Sequence, residues 1–352
     1  MDLYANSLLR NIGKVFILPR QNTTAYKQLQ TQLFNIMNQL KSGQIDRQGA
    51  TNALNVILSN MKRSPPRAGR NEERISTIVE LLAPRNLAPK TILDVGAGSG
   101  DIITSLKNYY NLPAENVFAI DQKLPNVVDV TPLTYIDGKI PLPDNSMDLI
   151  IMFVVLHHIP PEFRDNILSE VSRVLSPNGV FIIREHDNDG TVDFYIFLDM
   201  IHIFWYIASN ETPDPLYLLS RAETQGLLAK VGLSPDVYIT YPEPNPQRLY
   251  HELFVKKIGA YKFKDAAAQV AIQTYINKFL RSPRTYESLV SLVPNSLLPG
   301  IIEKYQNNIT PNWNNISKDI TLAIILSAVK YAPIINGIHY ISAENINTVL
   351  AG

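Results

Sequence analysis

The 352-residue sequence contains no cysteine, which excludes disulfides, thiolate-bound zinc and a cysteine nucleophile. It also lacks a run of the ~18 uninterrupted apolar residues that a membrane helix needs. The stretch that comes closest, from Tyr195 to Ala208, is interrupted by Asp199 and His202. Because the N-terminus has no apolar signal core either, we expect no transmembrane segment and a cytoplasmic location.

The chain as a whole has no excess of either charge, since 32 lysines and arginines balance 32 aspartates and glutamates. The balance hides an asymmetry. Residues 1–90 carry a net +8, residues 91–256 a net −12 and residues 257–352 a net +4. The basic ends either bind a polyanion or complement the acidic centre, and both interpretations stay open.

The densest basic stretch surrounds Pro65-Pro66, between an N-terminal segment with helical spacing and the centre of the chain. Its composition is typical either of a solvated linker or of a contact to a polyanion. The residues that would make such a contact are Lys62, Arg63, Arg67 and Arg70.

Both ends of the chain have the apolar spacing of helices. Between Thr24 and Leu58 this spacing predicts a helical hairpin, broken near Ser42-Gly43. After residue 257, two further helical stretches, Ala266 to Leu280 and Ile316 to Tyr331, are separated by prolines. Neither end carries a motif of known function, so we expect them to cover the centre, gate a substrate or contact a partner.

The most informative segment is TILDVGAGSGD, from Thr91 to Asp101. Its apolar run predicts a buried strand, and the three glycines that follow predict a tight turn into a helix. Glycine has no Cβ, so the backbone there can turn sharply and approach a ligand. The start of the helix presents unpaired N–H groups and the positive end of its dipole, which favour a carboxylate or a phosphate.

The spacing of the glycines distinguishes between possible ligands. Dinucleotide-binding folds have G-x-G-x-x-G, whereas this segment has G-x-G-x-G with an acid, Asp94, two residues before the first glycine. A P-loop would end in Gly-Lys-Ser/Thr, which is absent. With its acid, the segment resembles motif I of the class I S-adenosylmethionine-dependent methyltransferases. In that family the glycine loop passes under the methionine part of the cofactor.

Further landmarks follow in the order of that family. Val117 to Asp121 is a second apolar run that ends in an acid, where a doubly wound sheet presents a carboxylate to a ribose. The segment from Tyr135 to Phe163, with its acid, Pro-rich turn, apolar strand and His-His pair, looks like the type 11 branch of the family. In that branch the residue matching Asp137 lies near the adenine amino group.

The remaining strands are predicted from local patterns. The turn Pro177-Asn178-Gly179 is followed by an apolar run, Val180 to Ile183, which predicts the fifth strand. Two extended runs, PDVYITY and RLYHELFVKK, then supply strands six and seven. The resemblance therefore extends over about residues 71–257.

The resemblance implies an α/β fold with a Rossmann-like, doubly wound seven-stranded sheet of order 3-2-1-4-5-7-6, in which strand 7 is antiparallel. We expect a helical N-terminal segment with a basic linker at residues 1–70, the methyltransferase domain at 71–257 and a helical C-terminal domain at 258–352. The cofactor that the resemblance implies is S-adenosylmethionine. The cofactor-binding residues that it implies are Asp94, Gly96, Ala97, Gly98, Gly100, Asp121, Gln122, Asp137, Gly138 and Phe153.

The chemistry of this family needs little from the protein, because the sulfonium cofactor brings an activated methyl group. Candidate bases follow strands four and five, at the edge where open α/β sheets bind ligands. We expect His186 to act as a base with a pKa near neutrality, oriented by Glu185 or Asp187. A second candidate base is His158, and a purely structural role is the alternative for His186. Adjacent strand residues point to opposite faces, so we expect no metal at Glu185-His186-Asp187.

Motifs for several methyl acceptors are absent. Amino-methylases carry Asn/Asp-Pro-Pro-aromatic after strand four, where this chain has His157-His158-Ile159-Pro160-Pro161. Ribose 2′-O methylases need a lysine after strand five, and cytosine C5 enzymes need a cysteine. The acceptor is therefore left open. Two alternatives also stay open: an RNA methyltransferase, acting at a cap or elsewhere through the basic ends, and an inactive methyltransferase-fold protein with a structural or assembly role.

Overall fold

The structure, a computed structural model, describes residues 2–64, 70–83, 87–122, 129–211, 214–241, 244–256, 261–281, 313–329, 331–335 and 338–351. Apolar runs form the strands of a central sheet: β1 (Ile92–Val95), β2 (Val117–Ile120), β3 (Thr131–Leu133), β4 (Met147–Phe153), β5 (Leu175–His186), β6 (Leu233–Thr240) and β7 (Leu249–Lys256). Helices precede and connect them: α1 (Asp2–Ile12), α2 (Thr24–Lys41), α3 (Arg47–Ser59), α4 (Arg70–Leu82), α5 (Asp101–Tyr110), α6 (Pro161–Val174), α7 (Val192–Ser209) and α8 (Arg221–Lys230).

The central sheet has the strand order β3-β2-β1-β4-β5-β7-β6. Strands β1 to β5 pair in parallel, and β7 runs antiparallel to both of its neighbours, β5 and β6. Because both faces are covered, β1 is buried at every position, as is typical of parallel strands. The order and directions predicted from the resemblance are confirmed.

Helices cover the two faces of the sheet with separate cores. On one face, Ile78 of α4 and Ile103 of α5 pack with Leu149 of β4. On the other, Leu168 of α6 packs with Phe181 of β5. A fully buried side chain of this kind contributes about 1.5–3 kcal/mol relative to an exposed one. This packing holds the sheet in place. Because β1 to β5 are parallel, the loops that follow them lie at one edge of the sheet.

The N-terminal helices α1, α2 and α3 pack on α7. Their shared core includes Leu8, Leu33, Leu54 and Phe197, none of which has exposed surface. The hairpin predicted between Thr24 and Leu58 is confirmed as α2 and α3. We conclude that the apolar stretch after β5 forms the central helix of an all-helical cluster.

Helix α7 is apolar on all sides. By length and composition it could cross a membrane, and 61% of it lies inside the protein. Its polar residues are buried too: Asp199 Oδ1 forms a 2.7 Å ion pair with Arg47 Nε of α3, and His202 is at most 9% exposed. These features are typical of the core helix of a folded protein, which is hydrophobic all round because it is covered all round.

Strand β5 starts earlier than predicted. The sequence predicts a turn at 177–179 and a strand from Val180, whereas β5 begins at Leu175, which pairs with Met147. The register then shifts, and regular pairing resumes at Val180. A Cβ at Gly179 would lie 2.7 Å from the Met147 carbonyl oxygen. The turn-forming residues are therefore accommodated as a bulge inside the strand.

The C-terminal segment has its own core, in which Ile272, Ile324 and Ile346 are buried together. It consists of α9 (Ala266–Arg281), α10 (Trp313–Val329) and α11 (Ala343–Ala351), with a small sheet of order β8-β10-β9 formed by β8 (Tyr261–Phe263), β9 (Ile334–Ile335) and β10 (Ile338–Ile341). The two predicted helices are confirmed as α9 and α10. The short strands were not predicted, because two to four residues carry too little periodicity. The three domain boundaries stay predictions.

Candidate active site

The glycine segment forms the loop between β1 and α5. Gly96, Gly98 and Gly100 have positive φ angles of 77°, 53° and 73°, in a region that residues with a Cβ rarely adopt. The N–H groups of Gly96 and Ala97 donate to the carbonyl of Ile120 at 2.8 and 3.3 Å, which holds the loop on β2. The tight turn predicted from the glycine spacing is confirmed.

Two of these glycines have different surroundings. A Cβ on Gly96 would lie 2.3 Å from Val155 Cγ2, so the loop rests directly on the residue that follows β4 by two positions. A Cβ on Gly98 would meet nothing within 4 Å. The backbone at Gly98 therefore borders open space, where a ligand can approach it.

Two carboxylates accompany the loop. Asp121 follows β2, and its Oδ2 accepts a 2.9 Å hydrogen bond from the N–H of Gly98. Asp94 lies within β1 and is 3% exposed. Burial, and next the charge of Asp121, raise the pKa of Asp94 to about 8, against the opposing effect of Arg74. A positively charged ligand group near this pair would favour the ionised form of Asp94.

The other predicted cofactor residues lie at the same edge of the sheet. Gln122 follows Asp121, and Phe153 is the last residue of β4. Asp137 and Gly138 form an exposed turn after β3, with φ angles of 50° and 75°. Because the carboxyl ends of parallel strands meet at one edge, residues at or after the ends of four strands lie along the same edge of the sheet. Their contact with a cofactor stays a prediction.

The residue after β4 has a strained backbone. Val154 has a φ of 61°, which costs a residue other than glycine roughly 1–3 kcal/mol. Its N–H donates a 2.7 Å hydrogen bond to the carbonyl of Arg184, which holds this conformation. The turn places Val155 against Gly96. Strain of this kind is concentrated at functional sites, and here it shapes the floor of the glycine loop.

A cluster of four histidines lies at the ends of β4 and β5. The ring centre of His157 is 4.3, 5.3 and 5.0 Å from those of His158, His186 and His202, respectively. The Nδ1 atom of His157 lies 2.6 Å from Glu185 Oε2, and its Nε2 atom lies 3.0 Å from His202 Nε2. The centre of the cluster is therefore His157, to which the sequence assigned no role of its own.

The carboxylate of Glu185 organises the turn after β4. Its Oε1 accepts hydrogen bonds from the N–H groups of Val155 and Leu156, at 3.0 and 2.8 Å. Burial raises the pKa of Glu185, but the charge and hydrogen bond of His157, together with His186, outweigh burial and lower it to about 2. An ionised carboxylate is thus fixed beneath the turn.

The surroundings of His186 correct two expectations. Its Nδ1 lies 2.8 Å from the main-chain oxygen of Gln247, so that carbonyl, and neither Glu185 nor Asp187, orients the ring. Burial, and next the charge of His157, lower the pKa of His186 to about 3, well below the near-neutral value expected. The ring is therefore a neutral imidazole at ordinary pH.

The environment of His158 has the same effect. Burial, followed by the charge of His157, lowers the pKa of His158 to about 3, and its buried Nδ1 has no hydrogen-bond partner among the described residues. A general base works best with a pKa near the operating pH. The base role predicted for His186 and His158, with Glu185 beside them, stays a prediction that these pKa values disfavour.

A cavity of about 410 Å³ opens near this edge. Its lining contains cationic side chains from three elements and no acidic residue among those that the structure describes. The cations are Arg10 and Lys14 near α1, Arg74 of α4 and Arg184 of β5. A positively charged cavity of this composition suits an anionic ligand.

Two residues of the cavity lining also act on residues of the candidate site. Arg74 is close enough to Asp94 to lower its pKa. The lining residue Gln247 holds the ring of His186. The guanidinium of Arg184 donates a 2.9 Å hydrogen bond to the hydroxyl of Tyr241, so this cation is held in place.

Among the basic residues predicted to contact a polyanion, Arg63 has side-chain contacts within the described part of the chain. The guanidinium of Arg63 donates to the carbonyl of Ala208 at 2.9 Å and lies over the ring of Phe16, so it connects the N-terminal segment to α7. The backbone carbonyl of Lys62 accepts a hydrogen bond from Ile17. Arg70 begins α4, and Arg67 lies outside the described residues.

Part of the chain matches a known family. Residues 93–183 match a family model described as a methyltransferase domain. The tRNA N(3)-methylcytidine methyltransferase Mettl2 of Drosophila melanogaster is 24% identical over 169 residues, which are 44% of this chain and 51% of that protein. The tRNA N(3)-cytidine methyltransferase METTL2 of Bos taurus is 29% identical over 118 residues, 29% of this chain and 31% of that protein. The chain thus spans about half, or less, of these relatives.

One solved structure among those similar to the chain is 1,6-didemethyltoxoflavin-N1-methyltransferase of Burkholderia thailandensis. It is 16% identical with a TM-score of 0.38, over 69% of this chain and 94% of that one. The family match, the G-x-G-x-G loop and the strand order place the sheet domain in the class I S-adenosylmethionine-dependent methyltransferase superfamily, in its type 11-like branch. The cofactor of this domain is S-adenosylmethionine.

Proposed function

We propose that the protein binds S-adenosylmethionine across the loop between β1 and α5 and transfers its methyl group to RNA. The glycine loop carries this proposal. Gly98 has a positive φ, borders open space and donates its N–H to Asp121. The open space beside Gly98 leaves room for a ligand to approach the backbone of the loop.

In this proposal the carboxylates recognise the cofactor. Asp121 accepts hydrogen bonds from the two ribose hydroxyls, and its contact with Gly98 does not prevent this, because each carboxylate oxygen accepts more than one hydrogen bond. Asp94 ionises beside the positive charges of the cofactor. The backbone of Gly96, Ala97, Gly98 and Gly100 passes under the methionine part, with Gln122, Asp137, Gly138 and Phe153 around the adenosine.

The cation-lined cavity supports an RNA acceptor. Phosphate contacts from arginine and lysine supply most of the affinity of proteins for nucleic acids. Arg10, Lys14, Arg74 and Arg184 line one cavity, and Arg74 also lowers the pKa of Asp94 in the proposed cofactor site. Two of the similar proteins are named as tRNA cytidine N3 methyltransferases, so cytidine N3 is the first acceptor atom to test.

The histidine environment is compatible with such an acceptor. A ring nitrogen with a free lone pair attacks the methyl group without losing a proton first, so alignment alone can supply the catalysis. The low pKa values of His158 and His186 are then no obstacle. The proposal accordingly needs no general base.

The test is methyl transfer from labelled S-adenosylmethionine to fractionated RNA, protein and small metabolites. Incorporation into RNA that is lost in Gly98→Val supports the proposal. Incorporation confined to protein or metabolites would overturn the RNA acceptor and keep the methyltransferase activity. Absence of both incorporation and cofactor binding would favour the structural or assembly role.

A further inference from the structure

Three of the clustered histidines come from different elements of the fold. His157 lies in the turn after β4, His186 ends β5, and His202 lies on α7. One ring nitrogen of each belongs to a set whose members all lie within 4.8 Å of one another, and none of the three residues is more than 9% exposed. Buried polar groups need partners, so both nitrogens of each ring must be accounted for.

The Nδ1 atom of each ring already has a partner that can only accept. These partners lie at 2.6 to 2.8 Å: Glu185 Oε2 for His157, the Gln247 carbonyl for His186 and the Leu198 carbonyl for His202. Nδ1 therefore carries the proton in each ring. The nitrogen left for another partner is Nε2, which carries a lone pair in the neutral form of each ring.

Two of these lone pairs face each other. The Nε2 atoms of His157 and His202 are 3.0 Å apart, so a positive species between them, either an added proton or a metal ion, is needed to offset their repulsion. A shared proton would satisfy two nitrogens and leave His186 outside.

We propose that His157, His186 and His202 bind a divalent transition-metal ion of the zinc class through their Nε2 atoms. Ligand histidines of metal sites usually donate their other ring N–H to a carboxylate or a carbonyl, which is the arrangement of all three rings. Nitrogens bound at 2.0–2.1 Å around a tetrahedral ion lie about 3.3 Å apart, close to the separation already present between two of them. The fourth position would hold water or another ligand.

This site was not predicted because the sequence places only Glu185, His186 and Asp187 side by side, and a strand cannot direct all three at one ion. The proposed ligands instead come from a turn, a strand and a distant helix. An ion there would fasten α7, and with it the N-terminal helices, to the ends of β4 and β5. It would also make His186 a ligand, which is incompatible with the predicted base role.

The direct experiment measures metal in the full chain, purified without a polyhistidine tag. Inductively coupled plasma mass spectrometry should find about one equivalent of zinc per chain, as for a single three-histidine site. Replacement by cobalt should give the visible absorption bands of a tetrahedral ion. His202→Asn should lose both signals. His251→Gln, which removes an equally buried histidine of β7 outside the set, should keep both.

Glu185→Gln gives a graded test, because changing a group that orients a ligand typically weakens metal affinity by about 10–100-fold. Metal bound equally by His202→Asn and the wild type would overturn the proposal. If His202→Asn does not fold, the wild type is tested instead. After its metal has been removed with a chelator, added zinc should raise its thermal midpoint and restore about one equivalent of bound metal. No shift and no cobalt bands would also overturn it. Neither readout depends on methyl transfer.

Discussion

The N–H of Gly98 donates a 2.9 Å hydrogen bond to the carboxylate of Asp121. This contact joins the loop after β1 to the end of β2 across the carboxyl edge of the sheet. It holds the carboxylate in place before any cofactor binds, and such preorganisation reduces the entropy lost on binding. The same open backbone and carboxylate are the parts on which the proposed cofactor site depends.

Asp121→Ala should weaken the binding of S-adenosylmethionine by about 1.5–3 kcal/mol, because a hydrogen bond to a charged group is lost. Isothermal titration calorimetry measures the change in affinity. Asp165→Ala, on the exposed face of α6, removes a carboxylate away from the loop and should bind like the wild type. Equal affinity in all three proteins would show that the site is misplaced.

The two loop glycines should respond differently to a methyl group. Gly96→Ala should lower the thermal midpoint strongly, since its Cβ would lie 2.3 Å from Val155. In Gly98→Ala the free energy of unfolding should fall by only about 1–2 kcal/mol, the cost of a left-handed backbone for a residue with a Cβ. The affinity for the cofactor should fall as well. Gly43→Ala is the control, because it has φ +72° and nothing within 4 Å. A Gly98→Ala protein with unchanged cofactor affinity would contradict the account.

Stability should fall as the pH drops below about 6.5, the usual pKa of an unfolded histidine. Burial, then Arg184 and Arg74, lower the pKa of folded His251 to about 3. Between these values only the unfolded chain binds the proton, so stability is lost. In His251→Gln, the loss between pH 7 and pH 5, measured by urea unfolding, should be smaller by about 2 kcal/mol. Equal losses in both proteins would refute the prediction.

If the cavity holds phosphates of RNA, each cation that is removed should reduce the salt dependence of binding. Arg10→Ala should lower the slope of log affinity against log salt by about one. Arg20→Ala, exposed in the same N-terminal segment and absent from the cavity lining, should leave the slope unchanged. Fluorescence anisotropy with labelled RNA measures both. Equal slopes would exclude phosphate contact at Arg10.

Most of the central sheet was predictable because its signals are local. The acid and glycines after β1 and the acid after β2 occur within short segments, and the positive φ angles of Gly96 and Gly98 are a direct consequence of that pattern. The predicted start of β5 was wrong, because a bulge and a turn have the same local composition. Only the pairing of Leu175 with Met147 distinguishes them.

The histidine cluster and the cation-lined cavity were not predictable, because their residues are far apart in the chain. His202 lies on an apolar helix 45 residues after His157, and only the packing of α7 brings them together. The one local signal was a polar residue inside an apolar run, since such residues usually have a buried partner. Arg10 and Arg184 likewise share a cavity only in the folded protein.

The central claim is that this chain binds S-adenosylmethionine at the glycine loop. Calorimetric titration of S-adenosylmethionine and S-adenosylhomocysteine into the full chain, its Gly98→Val variant and its Gly43→Val control tests it most directly. We expect saturable binding of one equivalent to the wild type and the control, and none to Gly98→Val. No binding to the folded wild type at about 1 mM cofactor, which means a binding free energy weaker than ~4 kcal/mol, would contradict this expectation. Unchanged binding to Gly98→Val would contradict it as well.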